Sequence, residues 1–229
     1  MAWVSAQHLD AHAPVDWRVR YATTDPLDAL VAIGASPFLL ISVDIRQSTA
    51  MRRLARNKLL HEAVVANFVD TASKALRDHG FWWDKFEGDG FIAYVPVTVD
   101  GRNGTVQIRE ALSILAELLE IFGSRTMQVI ESNCVSVPPG AGLALGLDGG
   151  KFSFWNMNGD LTIQGDPVIG AVRMQSVASA GEMVASASVG AEVEGGGTAI
   201  LPPALSLSTD KRQPKTYSEP VDVYVLTLA

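Results

Sequence analysis

The chain has 229 residues, 48% hydrophobic and 19% charged, enough for one large domain with its own core. Its net charge of −7 weighs against a nonspecific nucleic-acid binder, which is normally basic. A single cysteine, Cys134, excludes an internal disulfide, suits a reducing compartment and reads as a small buried apolar residue.

No apolar run has the length of a membrane span. The start, MAWVSAQHLDAHAP, lacks the basic opening and apolar centre of a secretory signal, so a soluble cytoplasmic protein is expected. The four histidines, His8, His12, His61 and His79, show no zinc-ligand spacing.

Residues 1–36 read as an N-terminal extension that can pack on the domain or mediate dimerisation; the domain itself spans 37–229. Within the extension, Asp25-Pro26 opens a short helix ending near Gly34, and Ser36-Pro37 breaks the chain. Phe38 to Val43 is a short apolar run, consistent with a buried strand, and it ends in Asp44. Ser48 or Thr49 then suits the N-cap of a helix, and the start of such a helix is a natural cradle for phosphate. Helix is expected to about Asp78, in one or two pieces, with Leu60, Val64, Phe68, Ala72 and Leu76 as its inner stripe and His79-Gly80 as its end.

Phe81 to Tyr94, FWWDKFEGDGFIAY, holds two aromatic-rich runs around a glycine-containing link, the pattern of a β-hairpin. If the strand ending in Asp44 lies beside this hairpin, Asp44 and Asp89 meet at one rim of a sheet. Two carboxylates there repel unless a cation joins them, and Mg²⁺ binds through one or two carboxylates plus substrate phosphates. Residues 99–104 read as a loop, 105–122 as a helix, and 124–140 are ambiguous. Ala141 to Leu147 reads as a strand with Lys151 to Trp155 as a possible return partner. Asp166-Pro167 reads as N-cap and first residue of a helix to about Ala180. Met183 to Val189 reads as a strand, 190–220 as mostly loop, and Val221 to Leu226 as a final strand, with an edge position in view. The fold class expected is α+β, a single mixed, mainly antiparallel sheet with flanking helices.

Four segments, in order, resemble the class III nucleotidyl cyclases, the adenylate and guanylate cyclase catalytic domain with its ferredoxin-like core. They are ISVDIRQST, KFEGDGFIAYV, TIQGDPVIGAVRMQSVASAGEMVAS and, more weakly, KTYSEPVDVYVL, spread from about residue 38 to 228. The resemblance implies that Asp44, Asp89 and the backbone carbonyl of Ile45 hold two divalent ions, Mn²⁺ or Mg²⁺. It implies attack of a ribose 3′-hydroxyl on the α-phosphate of a nucleoside triphosphate, with pyrophosphate leaving. Arg173 matches the family's transition-state arginine and Lys215 a triphosphate-binding lysine. Ser48 and Thr49 fall beside the phosphates. The family works as head-to-tail homodimers with sites at the interface.

Lys85 matches the family's adenine-reading lysine, and Thr162 stands where its partner aspartate is usual, as in some bacterial adenylate cyclases. Ile169 stands at the ribose-orienting asparagine, and it can neither donate nor accept a hydrogen bond through its side chain. Glu87 occupies a position the family usually fills with an apolar residue. Lost purine contacts in a short chain resemble the pyrimidine cyclases of the Pycsar antiphage systems, which make cyclic UMP or cyclic CMP for a separate effector protein. UTP is accordingly the substrate expected. The alternatives are a bacterial adenylate cyclase and a catalytically inactive cyclase-like domain that binds nucleotide or a partner.

Overall fold

The computed structural model describes residues 6–34, 36–86, 88–98, 106–157, 160–215 and 217–229. Three short helices open it: α1 (Ala6–His12), α2 (Trp17–Arg20) and α3 (Pro26–Gly34). Then come β1 (Phe38–Arg46), α4 (Ser48–Leu54), α5 (Lys58–Asp78), β2 (Trp82–Phe86), β3 (Gly90–Thr98) and the two-residue β4 (Val106–Gln107). Next are α6 (Ile108–Ile121), a π-helical turn over Phe122–Thr126 and α7 (Met127–Asn133). The remainder is β5 (Gly142–Gly150), β6 (Ser153–Met157), β7 (Asp160–Gln164), α8 (Asp166–Val177), β8 (Glu182–Ala185), α9 (Ala187–Gly196), β9 (Leu205–Arg212) and β10 (Val221–Leu228).

The main sheet runs β2-β3-β1-β5-β8-β10-β9, with β4 added beside β3. Pairings along that path are antiparallel except β5 with β8, and β4 joins β3 in parallel. The fold is thus α+β, with one mixed, mainly antiparallel sheet flanked by helices, as the alternation of apolar runs and helical stripes predicts. Strand β1 lies between β3 and β5. Its central position explains its near-continuous apolar sequence, since both faces are covered. Leu39, Ile41, Val43 and Ile45 share one core with Phe68 and Leu76 of α5 and Leu112, Leu115 and Leu119 of α6. Phe38 and Leu40 point to the other face, into a core with Leu9, Trp17, Trp82, Tyr94, Leu161 and Ile163. Leu9, Ala13, Trp17 and Ala29 of the opening helical segment are buried in this core, each at most 1% exposed.

Several expectations need correction. Gln47, with φ of 62°, precedes α4, and Ser48 already lies in the helix, so neither Ser48 nor Thr49 is its cap. The cap of α5 is Asn57, whose side chain accepts from the Leu60 N–H at 3.1 Å. The buried stripe of α5 is His61, Val65, Phe68, Ala72 and Leu76; Leu60 is exposed. The ambiguous stretch 124–140 is largely helical as far as Asn133. Strand β6 pairs with β7 in a separate two-stranded sheet and not with β5. Helix α8 starts at Asp166 and ends at Val177, with Gly165 before it. Helix α9 begins at Ala187, inside the stretch read as strand, and runs into the segment 190–220, which also holds the edge strand β9; β10 thus lies between β8 and β9 and not at the edge. The loop at 99–104 and Glu87 lie outside the described residues.

Candidate active site

Asp44 and Asp89 come to one rim of the sheet because β1 and β3 pair in a register that sets Asp44 opposite Gly90. The Ile45 N–H donates to the Asp89 carbonyl at 3.2 Å, which fixes the hairpin tip against the end of β1. Close approach requires a glycine at position 90, where a Cβ would stand 2.3 Å from the Val43 carbonyl oxygen. Asp44 has the parity of Phe38 and Leu40 and so faces the side on which α8 packs.

The Asp44 side chain is 30% exposed, and Arg46 Nη1 donates to its Oδ2 at 3.2 Å. Burial pushes the Asp44 carboxyl above its usual range, and the Asp89 charge adds to that, while Arg46 and Gln175 pull the other way. Arg46 is itself anchored, donating from Nε to the Ala178 carbonyl at 3.1 Å and from Nη2 to the Gln175 carbonyl. The end of α8 is thereby fastened to the aspartate strand. Helix α8 sits very close on β5: a Cβ on Gly146 would lie 2.1 Å from the Ala171 carbonyl oxygen.

The donor set suits a hard cation. Two carboxylates and the Ile45 carbonyl are all oxygen donors, the type that Mg²⁺ and Mn²⁺ prefer. A carboxylate pushed up by burial and by a second carboxylate gains most from a cation placed between them. Among the described residues, no group of three or more His, Cys, Asp or Glu side chains gathers as a metal cluster.

The other expected site residues form two further groups. Lys85 on β2 and Thr162 on β7 both act on Asp84, which is 5% exposed. Asp84 Oδ1 accepts from the Ile163 N–H at 3.1 Å, tying β7 to the hairpin strand. Burial raises the Asp84 carboxyl; Ile163 N–H, Lys85, Thr162 and His12 oppose the rise. Its Oδ2 has no hydrogen-bond partner. Asp84 falls in none of the site positions that the motifs single out. The signal was its place two residues after Trp82, on the inward side of a strand, where a charge is costly.

Arg173 lies half-buried on α8 with its guanidinium 5.1 Å from the centre of the Tyr217 ring. That contact draws the loop carrying exposed Lys215 to α8. On α8, Ala171, Met174 and Ala178 are buried, whereas Ile169 and Val172 are exposed. Ser48, Thr49 and Asp89 border a 400 Å³ cleft that also includes Arg52, His61 and Glu62.

No protein-family model matches the chain, and no curated protein matches it in sequence. Solved structures match it in shape. The adenylyl cyclase CyaB from P. aeruginosa superposes with a TM-score of 0.67 at 19% identity, covering 85% of this chain and 95% of that one. The fold is that of a nucleotidyl cyclase catalytic domain. The guanylate cyclase domain of RhGC from Catenaria anguillulae, solved in complex with GTP, gives 0.62 at 15% identity, with 84% and 97% covered. A non-canonical dimeric guanylyl cyclase domain of the RhoGC fusion protein from Blastocladiella emersonii gives 0.58 at 16%, with 85% and 98% covered. The cyclase fold accounts for nearly the whole of each of those domains.

Among the described residues, no helix is long and apolar enough to cross a membrane.

Proposed function

We propose that this chain is a nucleotidyl cyclase that converts a nucleoside triphosphate to its 3′,5′-cyclic nucleotide and pyrophosphate. The observation that carries the proposal is the meeting of Asp44 and Asp89 at one rim of a cyclase-type sheet. Two divalent ions, Mg²⁺ or Mn²⁺, would lower the pKa of the attacking hydroxyl and neutralise the triphosphate when bound. Asp44, Asp89 and the Ile45 carbonyl would hold them. The ribose 3′-oxygen then bonds to the α-phosphorus, the bond from that phosphorus to the bridging oxygen breaks, and the 3′ proton passes to solvent.

Arg173 supplies a permanent positive charge with a planar fork, suited to phosphoryl oxygens as charge builds in the transition state. Lys215, on the loop that Tyr217 brings to α8, serves the triphosphate. Ser48 and Thr49 border the cleft beside Asp89 and serve the same end. Arg173 lies on the helix whose outer side exposes Ile169 and Val172, and Trp155 of β6 is also exposed. Such apolar residues on one side of the domain suit a second copy of the chain. In a head-to-tail homodimer, one protomer would give the aspartates and its partner Lys85, Thr162, Arg173 and Lys215.

For the base we favour a pyrimidine, UTP to cyclic UMP ahead of CTP to cyclic CMP, with the product sensed by a separate effector in antiphage defence. Ile169 supports this, since it offers the sugar and base no side-chain hydrogen bond. A second reading, an adenylate cyclase, is favoured by the neighbourhood of Lys85 and Thr162 around Asp84. Incubating the protein with each of the four triphosphates and Mn²⁺ separates them. Cyclic UMP as the main product supports the first, cyclic AMP the second, and no cyclic product from any of the four contradicts both.

A further inference from the structure

His61 is 2% exposed, yet neither of its ring nitrogens has a hydrogen-bond partner. Among the described residues, the only other buried side-chain atom left so is Asp84 Oδ2. An imidazole buried without partners costs stability, because it surrenders hydrogen bonds to water and regains none. A leucine at this point of the α5 stripe would avoid that cost. His61 is also among the residues that line the 400 Å³ cleft, together with Ser48, Thr49 and Asp89. Arg52 and Glu62 line the cleft as well, and Arg52 Nε donates to Glu62 Oε1 at 2.7 Å. Burial and the Arg52 charge hold the His61 pKa below its ordinary value, so the ring is neutral and keeps one N–H to donate.

We propose that His61 is a binding residue for the terminal phosphate of the substrate, donating its ring N–H to a phosphate oxygen inside the cleft beside Asp89. This rests on the cyclase proposal, which puts the triphosphate at Asp89. It extends that proposal by assigning the polyphosphate tail to the space between α4, α5 and the hairpin tip. The neutral ring adds a directional donor without another fixed charge, so pyrophosphate can depart once the bond to the α-phosphorus is broken. The ring nitrogen that carries the proton lacks an acceptor, and a phosphate oxygen is an acceptor of the right kind for it.

The test uses the full chain and magnesium tripolyphosphate as probe, with affinity read by titration calorimetry and stability by thermal melting. His61→Leu keeps the apolar bulk and removes the donor; His61→Gln keeps a donor. The proposal expects His61→Leu to bind the probe about tenfold more weakly while melting at or above the wild-type temperature. His61→Gln should stay within about threefold of wild type. Equal affinity in wild type and His61→Leu, or no binding of the probe by wild type, overturns the assignment. Lost affinity in His61→Leu with no turnover of any nucleotide by wild type would keep the phosphate contact and reject the cyclase reading. Turnover with unchanged tripolyphosphate affinity in His61→Leu would do the reverse.

Discussion

Asp44 and Asp89 lie 45 positions apart in the chain and meet because Asp44 stands opposite Gly90 across the β1–β3 pair. The Ile45 N–H holds the Asp89 carbonyl at 3.2 Å, so the two acids share one rim. Their closeness is unfavourable in a protein without cations and useful in one that binds them. Burial and Asp89 together raise the Asp44 carboxyl, so the folded state holds its proton more tightly than the unfolded chain does. Stability from this group is therefore full below the ordinary carboxylate pKa and is lost as pH rises through the raised one. Asp44→Asn mimics the protonated form. It should melt at or above the wild-type temperature in the absence of divalent ions, yet lose at least about a hundredfold in cyclase turnover. A thermal melt paired with a product assay checks both halves; lower stability with retained turnover would contradict them.

Arg173→Ala should reduce turnover by about a hundred- to a thousandfold, with little change in folding. Arg173→Lys should not restore it, because an ammonium lacks the planar fork. If sites form between two copies, mixing the Asp44→Asn and Arg173→Ala proteins recreates one intact site in each mixed dimer. Random pairing then returns roughly a quarter of the wild-type turnover. No recovery after mixing would argue for sites built within one chain.

Gly90→Ala places a Cβ 2.3 Å from the Val43 carbonyl oxygen, which the strand pairing cannot accommodate without moving. A cost of about 1–3 kcal/mol is expected in denaturant unfolding. Divalent-ion affinity should also fall, because the tip carrying Asp89 is pushed away from β1. An unchanged unfolding midpoint would show that the hairpin tip adjusts freely.

Glu182 and Arg212 join β8 to β9, with Arg212 Nη2 donating to Glu182 Oε1 at 3.1 Å and Nη1 to the Val177 carbonyl at 2.8 Å. The Arg212 hydrogen bond holds the Glu182 carboxyl below its usual value. Its contribution is thus present above the ordinary glutamate pKa and is lost as pH falls through the depressed one. Glu182→Gln should destabilise the fold by about 2 kcal/mol at pH 7. The gap between the two proteins should close as pH falls below the ordinary glutamate range and through the depressed pKa of Glu182. A constant gap across that range would show that charge is not what the pair contributes.

The sequence displays β1 and the hairpin clearly, because their apolar and aromatic runs exceed anything a surface segment would carry. The α5 stripe is harder. Steps of four residues gain about 40° each at 100° per residue, so a stripe written as 60, 64, 68 drifts about 80° off the buried line by Leu60. His61, seven residues before Phe68, stays within about 20° of that line. Counting by four thus hides the one polar residue in the stripe. The C-terminal third misleads for a different reason. Helix α9, ASVGAEVEGG, is poor in strong helix formers other than alanine and glutamate, and Gly190 reads as a breaker. In the fold Gly190 is where the Tyr224 ring lies against the helix, with a built Cβ only 1.9 Å from it. Strand β9, LSLSTDKR, looks like loop because it lies at the sheet edge and five of its eight residues are exposed. For the site, the two aspartates and Arg173 stand out in motifs, whereas Asp84 and His61 are visible only once burial is known.

The most direct measurement is product formation from ATP, GTP, CTP and UTP, each with Mn²⁺, by the purified wild-type chain and by Asp89→Asn. The account predicts a cyclic nucleotide and pyrophosphate in equal amounts from wild type, and a loss of both in the variant. Equal product from the two proteins, or none from wild type with any of the four nucleotides, would contradict it.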